Sequence, residues 1–419
     1  MLTKNQRKLL FFSSLGGTLE FYDFIIYALL AGYISKAFFP AEKESVSLLL
    51  TFATFSLGYF VRPLGGILFG HFGDKRGRKK TFTLSVFIMA LSTLLIGFVP
   101  RYDVIGMAAP VIVTLLRVFQ GLSVGGEIPG AIAYVSESMP ERKGLANGII
   151  FFALLSGTTL GSLFQAMLTH FLSPTEMATW GFRVPFFVGG FFGLFSYWMR
   201  RQLVESPLFQ TIEHKIEHFP LATVFRKCFL NTFAAIFIVG LAASIITMLL
   251  IFSPVYVSKI LKINAPYYIW YNTIALFLAA VNCIIFGWIA DHVSHKRLLY
   301  VLIVLTLVSA YPIFYIFTTH FSLVFLGLLG GVILTGLALG VMPTLLSELF
   351  PTTIRYSGIA VCYNLGLAIF GGLTPLIATY LVYETDLLEA PAFYLMGAAI
   401  IAGAMLCVIK PIALQKRLK

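Results

Sequence analysis

The chain alternates long apolar runs with short charged stretches, and most of the runs are as long as a membrane is thick. Residues 45–61 and 81–99 contain no Asp, Glu, Lys or Arg. Between them lies Gly70-His71-Phe72-Gly73-Asp74-Lys75-Arg76-Gly77-Arg78-Lys79-Lys80, a burst of five bases. Charge-free or nearly charge-free runs recur at 228–258, 263–290, 298–347, 356–383 and 390–409. A helix needs about 20 apolar residues to cross the hydrocarbon core. The run 298–347 is long enough for two spans, so the second half predicts six. The first half predicts six more, near 11–37, 46–72, 81–99, 107–138, 144–171 and 182–203.

Composition agrees with this pattern. With 58% hydrophobic and 11% charged residues and a mean hydropathy of +0.90, the chain has too little polar surface to coat a soluble globule. It reads as an integral membrane protein. The bases fix an expected orientation: on the outer segments only Lys36, Lys43, Arg101, Arg183, Lys259 and Lys262 occur, and Arg62 and Arg117 lie inside spans. The rest, Arg200 and Arg201 among them, fall on inner segments, which places both termini in the cytoplasm. The formal net charge of +12 then reflects topology and not nucleic-acid binding, because it is spread over short loops.

Cys228, Cys283, Cys362 and Cys407 sit singly in spans, with neither a disulfide framework nor metal-ligand spacing. Lys4, Arg7 and Lys8 ahead of an apolar run imitate a signal peptide. That run is too long and carries Glu20 and Asp23, so it reads as a retained first helix.

The two halves echo each other. Gly70-x-x-x-Asp74 ending in Arg78-Lys79-Lys80 returns as Gly287-x-x-x-Asp291 ending in His295-Lys296-Arg297, 217 residues later. Ser136-Glu137-Ser138-Met139-Pro140 returns as Ser347-Glu348-Leu349-Phe350-Pro351, 211 residues later, with Arg142 and Arg355 following. A duplicated six-helix unit predicts an all-α membrane protein with twelve transmembrane helices in two pseudo-symmetric bundles, the arrangement of carriers that rock about a mid-membrane site. The bundles are expected at 1–204 and 228–419, joined by a cytoplasmic linker at 205–227.

Several motifs give this pattern a family. Glu20-Phe21-Tyr22-Asp23-Phe24, Arg62-Pro63-Leu64-Gly65-Gly66, the 70–80 loop, Arg117-x-x-Gln120-Gly121-x-Ser123-x-Gly125-Gly126-Glu127, Gly181-Phe182-Arg183-Val184-Pro185-Phe186 and Glu205-Ser206-Pro207-x-Phe209 occur in order. The chain resembles a major facilitator superfamily transporter. Within that superfamily it resembles the metabolite:proton symporter family of proline/betaine, α-ketoglutarate and citrate carriers. The resemblance implies the twelve-helix fold, no enzymatic activity and no cofactor beyond the coupling proton. It also implies a small-molecule substrate, a bacterial inner membrane and a monomer. Three departures stand out: Phe21 replaces the usual Trp, Pro129 interrupts the segment after Glu127, and only ten residues follow Ile409. The short tail leaves no room for the C-terminal coiled coil of osmosensing members.

Charges inside a span cost roughly 2.5–3.5 kcal/mol each and so face a cavity and a partner. Glu20, Asp23 and Tyr27 share one helix face. Counted from the inner helix ends, Glu20, Asp23, Arg62 and Glu127 fall in one layer, with Arg117 about 15 Å further out. Gln120 lies one helical turn from Arg117. An acid in such a layer can alternate between a bridge to Arg and a protonated state. Asp23 or Glu20 is therefore the candidate proton carrier, and Arg62 or Arg117 the candidate that binds a substrate carboxylate or senses the proton carrier; the alternative is a permanent structural bridge that only locks the N-terminal bundle. Asn272, Asn282 and Asn364 are candidate substrate contacts from the second half, or hydrogen-bonding links between helices. Similarity to the superfamily further implies a conformational latch built from Gly70, Gly73, Asp74, Arg78, Glu137, Asp291, Glu348 and Arg355. In it Asp74 would meet the start of helix 11 near Ser357 and Gly358, and Arg78 would pair with Glu137.

Other signals carry less. His214-Lys215-Ile216-Glu217-His218 matches a zinc-hydrolase pattern but lacks a third ligand and a catalytic scaffold, and reads as a solvated turn. Tyr22, Tyr27, Trp270, Tyr271, Trp288 and Tyr363 could line a cation cage, but lipid and core packing explain most of them. The reading is a proton-coupled importer of a small carboxylate-bearing solute. An exporter, a carrier of a larger carboxylate such as a siderophore and, more distantly, a membrane receptor or enzyme stand as alternatives.

Overall fold

In lipid a backbone must satisfy its own hydrogen bonds, and a helix does so within one segment. Accordingly the apolar runs fold as helices. The computed structural model describes residues 3–211, 220–263, 265 and 267–409, and no strand occurs among them. The His214 to His218 pattern and the basic tail from Lys410 lie outside the described residues.

The first half contains α1 (Lys4–Leu29), α2 (Glu44–Arg76), α3 (Arg78–Phe98), α4 (Ala108–Ser138), α5 (Lys143–Phe171) and α6 (Val184–Arg200). The second contains α7 (Phe229–Ile246), which continues through the π-helical turns Thr247–Ile251 and Tyr256–Ile260, then α8 (Tyr267–Ala290), α9 (His295–Thr319) and α10 (Val324–Leu349). It ends with α11, formed by Arg355–Gly366, a π turn Leu367–Gly371 and Gly372–Thr385, and α12 (Ala390–Val408). Eleven of these segments are long and apolar enough to cross a membrane, and α6, 17 residues long, supplies the twelfth. The run 298–347 divides at His320.

One helix boundary differs from the expected span. Helix α1 starts at Lys4 and not near residue 11, because Thr3 caps it: the Thr3 hydroxyl accepts from the Gln6 amide, and the Gln6 side chain accepts from the Thr3 amide. The expected span 11–37 breaks at Leu30, beyond which Ala31–Phe38 forms a separate short helix.

The halves meet mainly along α2 with α11 and α5 with α8, and α4 and α5 also pack against α10 and α11. Close approach requires glycine. A Cβ at Gly144 would strike the Gly287 carbonyl, and one at Gly73 would strike the Tyr356 ring. A series of hydrogen bonds and ion pairs joins the halves between mid-membrane and the end that carries the basic loops, here called the basic end. The bundle is therefore closed at the basic end.

Candidate functional site

Three tiers of buried charge rise through the first half. In the uppermost, Asp23 of α1 lies 3.6 Å from the Arg117 guanidinium of α4. Gln120, one turn along α4, binds both: its carbonyl accepts from Arg117 at 2.9 Å and its amide donates to Asp23 at 2.7 Å. The same amide donates to Thr93 at 2.8 Å. Arg117 also lies over the Tyr27 ring at 4.3 Å and near Phe55 at 5.5 Å, while Arg62 of α2 lies over Tyr59 at 4.3 Å. Glu20, Asp23, Phe55, Tyr59, Arg62 and Arg117 line a small cavity of about 20 Å³, room for about one water molecule. Around it several buried polar atoms make no hydrogen bond: both Glu20 carboxyl oxygens, Asp23 Oδ1, the Tyr27 hydroxyl and Arg117 Nε. Arg62 lies within electrostatic reach of Glu20.

The expected layering is corrected here. The start of α1 at Lys4 lifts Asp23 by about 10 Å relative to a helix beginning at residue 11. Asp23 therefore meets Arg117 directly instead of lying in a layer below it. Glu127 belongs to a lower tier, where its carboxylate lies 2.6 Å from Arg200 of α6 and accepts from Ser85 at 2.8 Å. The sequence places Arg200 among the inner-loop bases, whereas the structure buries it completely. Its guanidinium donates to the Phe12, Phe82 and Ser13 carbonyls and stacks 3.7 Å above the Phe82 ring. Gly16 makes room, since a Cβ there would collide with both charged groups.

The lowest tier joins the halves. Asp74 accepts from the Ser357 and Tyr356 amides at 2.8 and 3.2 Å, satisfying donors at the start of α11. Arg78 contacts Asp74 at 2.9 Å, Glu137 at 3.3 Å, the Gly73 carbonyl at 2.7 Å and the Thr352 carbonyl. Arg355 reaches Glu137 at 2.9 Å from the other half. The pseudo-symmetric copy pairs Asp291 with the Gly144 and Leu145 amides at 2.7 and 2.9 Å, and Glu348 with Lys143 and His295. At Gly70 a Cβ would press on Ser357.

The second-half candidates scatter. Asn272 donates to the Leu250 carbonyl at 3.0 Å, Asn282 packs where Gly336 closes on it, and Asn364 bonds across the halves. Among the aromatics, Tyr27 meets Arg117. Tyr22 donates to the Pro185 carbonyl at 3.2 Å, Tyr271 packs near Phe325, and Trp270 and Trp288 are exposed on the outside. Tyr363 is buried against Phe151 and within electrostatic reach of Glu20 and Arg62.

Phe55, Tyr59, Thr93 and Ser85 escape the sequence reading. Phe55 and Tyr59 lie seven and three residues before Arg62, on the same helical face, which is the available signal. Glu205 and Ser206 enter that reading only as part of a motif. Glu205 accepts from the first amides of α3, Arg78 and Lys79, and Ser206 donates to Glu137 at 2.7 Å.

A family model described as Major Facilitator Superfamily matches residues 11–361. The chain belongs to the Major Facilitator Superfamily. It is 35% identical to a Staphylococcus haemolyticus (strain JCSC1435) protein named "Putative proline/betaine transporter", over 99% of this chain and 89% of that protein. It is 32% identical to the proline/betaine transporter of Escherichia coli (strain K12), over 94% of this chain and 81% of that one. Among solved structures, the superfamily proton:xylose symporter XylE bound to 6-bromo-6-deoxy-D-glucose superposes with a TM-score of 0.73 at 16% identity, covering 96% of this chain and 94% of that one. That likeness concerns the fold. This facilitator is a multi-pass membrane transporter of a small-molecule substrate and not an enzyme.

Proposed function

We propose that this facilitator imports a small carboxylate-bearing zwitterion of the proline or betaine kind together with a proton, by alternating access between the halves 1–204 and 228–419. The observation that carries the reading is the cluster of charged and aromatic side chains around the small cavity between α1, α2 and α4, which has to widen to admit a solute of this size. It offers two guanidinium groups, two carboxyl groups with unpartnered oxygens and an aromatic wall. A substrate carboxylate suits Arg117 or Arg62, because charge-assisted bonds to a guanidinium are strong and directional. A pyrrolidinium or quaternary ammonium suits the Tyr27, Phe55 and Tyr59 rings and the Glu20 carboxylate. The names carried by the relatives support the same class.

Coupling follows from competition. Arg117 is held by Asp23 and Gln120, so a substrate carboxylate reaches it most readily once Asp23 is neutral. Protonation of Asp23 or Glu20 then accompanies loading, and release to the basic side returns the acid to its charged form. With the positive-inside bias of the loops, the basic end is cytoplasmic, the closed latch makes this a state shut to the cytoplasm, and the membrane is a bacterial inner membrane. The proton is the coupling ion.

The test is uptake by proteoliposomes of labelled proline, glycine betaine, α-ketoglutarate and citrate, with and without an imposed inward proton gradient. Gradient-driven accumulation of proline or betaine is expected. Glu20→Gln or Asp23→Asn should lower it at least tenfold while leaving exchange of labelled for unlabelled substrate in place. Full accumulation by both variants removes these acids from the coupling. Movement of citrate alone transfers the site to organic acids.

A further inference from the structure

Pro129 lies inside α4. A helical residue donates its amide to the carbonyl four positions earlier, and proline has no amide hydrogen. The carbonyl deprived of a helical donor is therefore that of Gly125. In this structure Gly125 O accepts from the Asn364 side-chain amide, on α11 of the opposite half, at 2.8 Å. The second hydrogen of that amide goes to the Ala360 carbonyl, also at 2.8 Å. Both partners are acceptors, so only the orientation with nitrogen inward works, and the nitrogen has no hydrogen left for a substrate. Next to it, the Tyr356 hydroxyl donates to the Gly126 carbonyl at 2.7 Å. The fit depends on two glycines: a Cβ on Gly66 would take the place of the Asn364 amide, and one on Gly125 would strike the Arg62 carbonyl.

We infer that Asn364 is a positioning residue that holds the halves together at mid-membrane by supplying Gly125 with the hydrogen bond that Pro129 denies it. When the basic end opens, α11 leaves α4 and the Gly125 carbonyl loses its donor in a buried place. The helix cannot replace that donor, so the closed state is favoured until water or substrate reaches the carbonyl. The lock sits two residues from Glu127 and on the helix that carries Arg117, so rearrangement of the charged tiers and separation of the halves act on one segment. This inference rests on the movement of the halves proposed above.

The experiment measures the distance between spin labels on cysteines at Lys80 and Val293, exposed on the basic end of opposite halves, after the four native cysteines are replaced by serine. Arg78→Ala serves as the control for opening. Asn364→Leu keeps the branched skeleton and removes the donor. It should raise the open-to-closed ratio about tenfold, the factor carried by one hydrogen bond of ordinary net strength. Pro129→Ala restores a helical donor for Gly125. It should raise the ratio by itself, and in its background Asn364→Leu should add a factor of about two or less. The inference is overturned if Asn364→Leu leaves the distances unchanged, or if its effect is the same with and without Pro129→Ala. Should Asn364→Leu not fold, Pro129→Ala decides alone: unchanged distances there overturn the lock. If the Arg78→Ala control never opens, the movement of the halves is what falls.

Discussion

Replacing Arg78 with Ala lowers substrate uptake more than tenfold and opens the basic end. Arg78 is completely buried and faces Asp74, Glu137 and the Gly73 and Thr352 carbonyls. Without it Asp74 keeps the Ser357 and Tyr356 amides, Glu137 keeps Ser206 and Arg355, and the cluster turns net negative. The remaining negative charge is relieved when the halves part and water enters, so the open state gains relative to the closed one. Arg78→Lys rescues little, because an ammonium is a point charge and the site asks for a planar fork spanning two acids and two carbonyls. Initial uptake rates in proteoliposomes, together with spin-label distances across the basic end, measure both effects. Uptake at the parental rate in Arg78→Ala would show that the cluster does not govern opening.

Removal of Arg200 has the second large effect, on stability. Arg200→Met leaves the buried Glu127 with its hydrogen bond from Ser85 but without a cation against it, and releases the Phe12 and Ser13 carbonyls of α1. Breaking one side of a buried pair costs about 3–5 kcal/mol, because the surviving charge is uncompensated. Adding Glu127→Leu should recover most of that loss, since the pair as a whole gains little over apolar packing. Thermal unfolding in detergent, for both single variants and the double variant, reads this directly. Equal melting of Arg200→Met and the parent would show that the pair contributes nothing to stability.

Much of the architecture was readable because it is one-dimensional. Whether a segment crosses lipid depends on its own hydropathy, so the run 356–383 announced a span before any neighbour was known. The repeated Asp74 and Asp291 motifs announced two halves for the same reason. The in-span charges Glu20, Asp23, Arg62, Arg117 and Glu127 stood out because lipid tolerates so few of them. Arg200 did not, because a base at a helix end beside Arg201 is indistinguishable from a loop residue until α1 and α3 are packed against it.

By itself, then, the sequence determined a membrane-spanning chain of two related halves with an ionic interior, since these follow from local polarity and its repetition. The tertiary structure alone decided the pairing: Asp23 with Arg117, Glu127 with Arg200, and Asn364 with the Gly125 carbonyl that Pro129 leaves open. Long side chains reach farther than the spacing between tiers, so residue counting leaves several partners within range. A shift of a few residues in where a helix begins, as in α1, then selects which acid meets which base.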